Sequence, residues 1–352
     1  MSRTEIETIG EFGLIRRMTE DIELTNESSV VGVGDDAAVL NYAEKQVLVT
    51  TDLLLEGIHF DLTYVPLKHL GYKSAIVNFS DIYAMNGRPK QLTVSLGISK
   101  RFSLENIETF YEGLKLACEL YGVDLVGGDT SSSLTGLCIS ITCIGEGETE
   151  KISYRNGAKE GDVICVTGDL GAAYLGLQLL EREKLVFNAS VKTSVNASQH
   201  VQPDFSGKEY LLERQLKPEA RRDIIMALGE KNIVPSSMID ISDGLSSELL
   251  HICAQSNVGS LIYMDKIPVH SDTQRMAEQF GMDATTVALH GGEDYELLFT
   301  VSVPQYAELS TMKEIKIIGR VEHASSGNRM RMPDGEDIEI VAQGWNGFAT
   351  PA

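Results

Sequence analysis

Basic charge is what this chain has least of. Lys and Arg number 30 against 51 Asp and Glu, a formal net charge of −21 over 352 residues. Such a surface repels a polyanion, and no local run of Lys and Arg offsets it, so nucleic acid is excluded as an expected partner. No apolar stretch approaches the roughly 18 residues of a membrane span. The first residues carry Glu5, Glu7 and Glu11 and lack the apolar core of a signal peptide. The five cysteines (Cys118, Cys138, Cys143, Cys165, Cys253) form no C-x-x-C and lie in apolar runs, as expected of buried thiols in a reduced, cytoplasmic chain. Also missing are G-x-x-x-x-G-K-[ST] and a kinase-type glycine-rich loop with H-R-D. A nucleotide enzyme built from this sequence therefore has to hold phosphate through metal ions and isolated basic groups.

The remaining composition, 43% apolar and 23% charged, is that of a globular protein, and the length predicts two domains. The chain turns polar and glycine-containing over 145–161, which places domains at 1–150 and 151–352. In the first, β-rich runs at 46–51, 92–98 and 137–144 alternate with two helices. One covers 67–86 and stops at Gly87, with Pro89 beyond. The other opens at Ser103, an N-cap type, and ends near Gly122, with Ile107, Phe110, Leu114, Ala117 and Tyr121 at helical spacing. In the second, strands are predicted at 163–167, 238–241, 260–264, 296–301 and 315–318, and a helix at 171–182. The polar, weakly patterned 185–208 reads as a surface insertion or mobile loop. The fold class is α/β.

Six short acidic segments stand out: Gly34-Asp35-Asp36, Thr50-Thr51-Asp52 (with His59 downstream), Asn78 and Asp81 inside the first helix, Gly127-Gly128-Asp129-Thr130, Asp240-Ile241-Ser242-Asp243-Gly244, and His290-Gly291-Gly292-Glu293-Asp294. Magnesium takes hard oxygen ligands and bridges one or two carboxylates to substrate phosphates. Carboxylates at strand ends, drawn together in one cleft, repel each other unless cations lie between them. Phosphoryl transfer then needs alignment and charge neutralisation more than covalent help.

Each segment alone has a plainer reading. Asp beside Gly is a common turn, and Ser74, Asn78 and Asp81 equally fit a solvated helix stripe. His59 and His290 are lone histidines, and Ser242 can simply cap the helix that starts at Gly244 or Leu245. Gly168-Asp169-Leu170-Gly171 can seat a phosphate at a helix start, but an ordinary strand-to-helix turn is favoured there. Arg155 is a candidate phosphate contact or an exposed loop arginine. The case rests on the set.

That set resembles the thiamine-monophosphate kinase family: Gly-Asp-Asp-Ala-Ala, Thr-Thr-Asp, Asn-Phe-Ser-Asp, Gly-Gly-Asp-Thr, Asp-Ile-Ser-Asp-Gly-Leu and Gly-Gly-Glu-Asp-Tyr-Glu-Leu occur in order along nearly the whole chain. The wider superfamily includes aminoimidazole ribonucleotide synthetase and selenophosphate synthetase. The resemblance implies two α/β domains: an N-terminal one that binds ATP and magnesium and pairs with its twin across a β-barrel-like dimer interface, and a C-terminal one that completes the substrate site. It implies Mg2+-dependent transfer of the γ-phosphoryl of ATP to thiamine monophosphate. Asp36, Thr50, Thr51, Asp52, Asp81, Asp129, Asp240 and Asp243 match the family's magnesium ligands, with Asp52, Asp129 and Asp240 central to catalysis. Tyr111, Gly128, Asp129, Arg155 and Ser242 match ATP contacts, and His59, Glu293 and Trp345 match acceptor contacts. Trp345, the only tryptophan, otherwise reads as a C-terminal packing anchor. The alternative is another ATP-using enzyme of the superfamily with a different acceptor. The late first cysteine argues against a selenophosphate synthetase, and the Phe348-Ala349-Thr350-Pro351-Ala352 ending argues against a hydrogenase-maturation relative.

Overall fold

The computed structural model describes residues 14, 17–31, 39–193 and 201–342. Asp36 and Trp345 lie outside the described residues. The chain divides into two compact units, Met1–Ile152 and Ser153–Ala352.

In the first unit a small antiparallel pair, β1 (Ser29–Val31) and β2 (Val39–Leu40), precedes a four-stranded sheet of β3 (Gln46–Leu55), β4 (Arg88–Ile98), β5 (Asp124–Ser132) and β6 (Leu137–Gly147). The order is β3-β6-β4-β5, with only β4 and β5 parallel. Strict alternation on β6 explains the layering: Leu137, Ile139, Ile141 and Cys143 are buried, while Cys138, Ser140, Thr142 and Ile144 between them are half-exposed. Two long helices among the described residues, α1 (Leu67–Ala84) and α2 (Leu104–Tyr121), accompany the sheet. Asn106 accepts the Ser103 N–H at 3.0 Å at the start of α2. Past the end of α1, Asn86 turns left-handed (φ 56°) just before Gly87. The other face of β3 carries Val47, Val49 and Leu53, which are 48%, 65% and 53% exposed. The sheet is open; among the described residues no closed barrel forms.

The second unit holds a seven-stranded sheet: β7 (Val163–Thr167), β8 (Ser237–Asp240), β9 (Gly259–Tyr263), β10 (Leu297–Val301), β11 (Ile315–Glu322), β12 (Asn328–Arg331) and β13 (Asp337–Glu339), ordered β13-β12-β9-β11-β7-β10-β8. β10 lies between β7 and β8 and is buried along its whole length. The helices are α3 (Ala172–Thr193), α4 (Glu209–Leu216), α5 (Arg222–Glu230), α6 (Leu245–Ser256), α7 (Ser271–Phe280), α8 (Ala284–His290) and the short α9 (Tyr306–Leu309). One apolar cluster joins the strands to α6 through Ile164, Ile239, Leu298, Leu249 and Ile252. A second, with Leu175, Leu179, Leu211, Met276 and Val287, ties together α3, α4, α7 and α8.

One expectation needs correction. Residues 185–193 are the end of α3, not the start of a loop. Helix-forming Glu, Arg, Lys and Leu carry the helix past Arg182, but Leu185 and Val186 are exposed, so no amphipathic stripe announces it.

Gly71 of α1 and Gly113 of α2 let the two helix backbones meet. A Cβ at Gly113 would lie 1.8 Å from the Lys68 carbonyl oxygen, and one at Gly71 would lie 1.9 Å from that of Phe110. Gly113→Ala should therefore destabilise the protein by about 1–3 kcal/mol through overpacking, read as a lower denaturant midpoint; an unchanged midpoint would contradict the close helix contact.

Candidate active site

Within the first unit, β3 and α1 bring three of the predicted residues together. Thr50 Oγ1 donates to Asp81 Oδ2 at 2.5 Å. Asp52, on the same strand face as Thr50, is largely buried, and its Oδ2 has no hydrogen-bond partner. Burial, and then the charge of Asp81, push the Asp52 carboxyl up to about 6. One turn before Asp81, Asn78 is wholly buried; its Nδ2 donates to the Ser74 carbonyl at 3.1 Å and its Oδ1 has no partner. Ser74 is buried too, and its hydroxyl returns to the Leu70 carbonyl at 2.7 Å. Ser74 and Asn78 are therefore not part of a solvated stripe, because the sheet covers this side of α1, and Asp81 beyond them is half-exposed.

Two close acidic side chains and a buried acceptor oxygen without a donor are a fit for a divalent cation. Among the described residues, no three His, Cys, Asp or Glu side chains stand together as a self-sufficient metal cage. A magnesium site does not require one, since substrate phosphates and water supply its remaining ligands.

Other predicted residues of this unit lie apart. Thr51 points to the opposite sheet face, where its hydroxyl donates to the Ile141 carbonyl at 3.0 Å and accepts from Thr142 Oγ1 at 3.1 Å. Asp129 is exposed on β5 and pairs with Ser95, which pairs with Ser140, which pairs with Leu53. Asp129 is thus three strand spacings, roughly 14 Å, from β3. Beside it Gly128 hugs β4, where a Cβ would come 2.0 Å from the Val94 carbonyl oxygen. His59 is exposed, and its Nδ1 accepts the Leu55 N–H at 3.0 Å. Tyr111 is buried in α2, with its hydroxyl pushed up to about 12 by that burial.

In the second unit two predicted loops are laced together. Ile241 N–H donates to the Glu296 carbonyl at 2.7 Å, Glu293 N–H to the Ser242 carbonyl at 2.7 Å, and Tyr295 N–H to the Ile241 carbonyl at 2.9 Å. Asp240, at the end of β8, is buried, and Ser242 is exposed. Ser242 does not cap α6: Gly244 takes the cap position with no side-chain cap bond. Glu248 accepts the Asp243 N–H at 3.0 Å through Oε1, and its buried Oε2 has no partner. Burial, with Asp243 and Asp240 adding to it, pushes the Glu248 carboxyl up to about 8. Glu293 and Tyr295 both adopt left-handed backbone, φ 67° and 52°, a strain of about 1–2 kcal/mol per residue. Arg155 is exposed on its loop.

Asp294 and Glu296, which alternate with Glu293 and Tyr295, are structural acids. Asp294 accepts the Gly171 N–H at 2.7 Å and the Ala173 N–H at 3.4 Å, so a protein carboxylate, not a phosphate, fills this helix start. Arg214 pairs with Glu296 at 2.8 Å and Arg221 pairs with it too. Sequence reasoning missed Glu248, Arg214 and Gln215 because they sit on helices without a recognisable motif.

Residues 34–146 match the family "AIR synthase related protein, N-terminal domain". The thiamine-monophosphate kinase of Aquifex aeolicus (strain VF5) is 35% identical over 343 residues, covering 97% of this chain and 99% of its own. The chain belongs to the thiamine-monophosphate kinase family. The solved thiamine-monophosphate kinase of Stenotrophomonas maltophilia K279a superposes with a TM-score of 0.74 at 31% identity over 92% of this chain and 95% of its own. "AaThiL complexed with AMPPCP and TMP" superposes with a TM-score of 0.71 at 33% identity, covering 98% and 99%. As a member of the thiamine-monophosphate kinase family, the chain is a kinase.

The Asp52 environment gives a stability prediction. Its folded carboxyl lies above the ordinary value, so the ionised form is the disfavoured one in the fold, and its contribution falls as pH rises from about 4 through 6. Asp52→Asn should raise the Tm of the metal-free protein at pH 7.5, by about 2–4 °C per kcal/mol relieved. The gain should shrink at pH 5. A lower Tm at pH 7.5 would show that the carboxylate is already compensated.

Proposed function

We propose that this chain transfers the γ-phosphoryl group of ATP to the phosphate of thiamine monophosphate, giving ADP and thiamine diphosphate. The observation that carries this reading is the 33%-identical relative, aligned over 98% of this chain, that was crystallised with AMPPCP and TMP. AMPPCP is a non-transferable ATP analogue, and we read TMP as thiamine monophosphate. An acceptor phosphate oxygen attacks Pγ, and the bond from Pγ to the bridging oxygen of ADP breaks in line with it, so no side chain need be phosphorylated.

Magnesium, when bound, neutralises the phosphates and aligns them. In the first unit we assign Asp36, Thr50, Asp52 and Asp81 to one magnesium site, with Thr51 limited to its backbone because its side chain faces away, and Asp129, three strands from β3, to a second. In the second we assign Asp240 and Asp243. ATP contacts are assigned to Gly128, Asp129, Arg155 and Ser242; the burial of Tyr111 leaves it little surface for the base. The acceptor is assigned to His59, Glu293 and Trp345. The Trp345 ring suits the cationic thiazolium, and the Glu293 carboxylate suits the same charge.

The exposed Val47, Val49 and Leu53 support a homodimer in which two open sheets meet and shield this face. The five free cysteines support placement in the reducing cytoplasm.

Incubating the protein with ATP and Mg2+ should yield ADP and thiamine diphosphate only when thiamine monophosphate is added. ADP release that depends on a different acceptor would favour another superfamily activity. Because Asp129 is exposed, Asp129→Ala should lower kcat by roughly 100-fold or more with little change in Tm; near-wild-type turnover at limiting Mg2+ would remove Asp129 from the site.

A further inference from the structure

Helix α4 grips the Glu293–Glu296 segment with side chains that no motif announces. Tyr210 donates its hydroxyl to Asp169 at 2.6 Å. One turn on, Arg214 donates to Glu296 Oε1 at 2.8 Å, the Asp169 carbonyl at 3.1 Å and the Asp294 carbonyl at 3.3 Å. The next residue, Gln215, donates from Nε2 to Glu293 Oε2 at 2.8 Å. Gln215 is only 5% exposed, so water competes little for this bond.

The two ends of Glu293 are thus fixed by different partners. Its backbone is pinned in left-handed conformation by the bond to the Ser242 carbonyl, and its carboxylate is steered by Gln215. Arg214 anchors α4 to the neighbouring acids, so Gln215 reaches Glu293 from a fixed base. A glutamate side chain loses several rotatable bonds when it closes on a ligand, and one oriented beforehand loses less.

We propose that Gln215 is a positioning residue for Glu293: it aims the carboxylate at the acceptor and thereby sets affinity for thiamine monophosphate, leaving nucleotide binding alone. This rests on the reading above that assigns Glu293 to the acceptor. Arg214 holds the same segment by its backbone and by Glu296, so its loss would loosen the fold generally. Gln215 touches the one acid of the segment assigned to a substrate.

Steady-state kinetics on wild type, Glu293→Ala, Gln215→Ala and the double variant test this, with Gln215→Leu as a second variant that keeps the packing volume and removes the carboxamide. Glu293→Ala is expected to raise KM for thiamine monophosphate at least tenfold. Gln215→Ala and Gln215→Leu are expected to raise it by about tenfold, the scale of one rotamer-rich side chain left unordered. KM for ATP and kcat should stay within about twofold, and the double variant should be no worse than Glu293→Ala alone, because Gln215 acts through it. Calorimetric titration with thiamine monophosphate in the absence of ATP should show the same pattern. If Glu293→Ala weakens the acceptor but neither Gln215 variant does, or if the double variant shows multiplied effects, the positioning role is overturned while the function stands. If Glu293→Ala has no effect on KM, the acceptor assignment of Glu293 fails and takes this proposal with it. A merely structural Gln215 would lower Tm and disturb both KM values together.

Discussion

Negative charge held close to negative charge, partly out of water, is the constraint on which this structure turns. Bringing one carboxylate beside another in a poorly solvated place is unfavourable unless something positive or a set of N–H donors accompanies it. The chain solves this in two ways. Asp294 and Glu296 have Arg214, Arg221 and helix-start N–H groups within reach, so each has partners inside the protein, although burial still pushes the Asp294 carboxyl up to about 7. Asp124 is likewise answered, by the Thr25 and Asn26 N–H groups and the Thr25 hydroxyl at 2.8–3.0 Å. Asp52 is different: burial and Asp81 both act against its charge, and one of its oxygens has no hydrogen-bond partner. Acids of the first kind hold the fold, and acids of the second kind are suited to receive something from outside.

That division explains an odd property of the second unit. Its most distinctive run, Gly-Gly-Glu-Asp-Tyr-Glu-Leu, reads as a cluster of ligands, yet two of its three acids are consumed by structure. Asp294 starts α3 and Glu296 knits Thr167, Arg214 and Arg221 to β10. They alternate with Glu293 and Tyr295, whose left-handed backbone is bonded to the Asp240–Gly244 loop through the Ser242 and Ile241 carbonyls. Strain at two residues that alternate with structural acids is a pattern found in segments shaped for binding.

The sheet of the first unit was legible because its strands alternate cleanly; Leu137, Ile139, Ile141 and Cys143 form one buried face that a period of two reveals. The stop of α1 was legible because Asn86-Gly87 takes the left-handed turn that ends helices. The burial of Asn78 was not, since a polar residue on a helix face looks solvated until a sheet covers it. Nor was α4, whose Arg214 and Gln215 find their partners some 80 residues downstream, a pairing that local pattern does not encode. The residue set at Thr50, Asp52 and Asp81 was recognisable by motif, but only the structure separates the Thr51 side chain from it and sets Asp129 three strands away.

Diffraction from crystals grown with Mn2+ and AMPPCP, recorded to locate the metal by its anomalous signal, addresses the central claim most directly. A manganese peak at about 2.1 Å from carboxylate oxygens of both Asp52 and Asp81 is the predicted result. Metal found only on the nucleotide or elsewhere, with Asp52 left as it is in the metal-free protein, would contradict it.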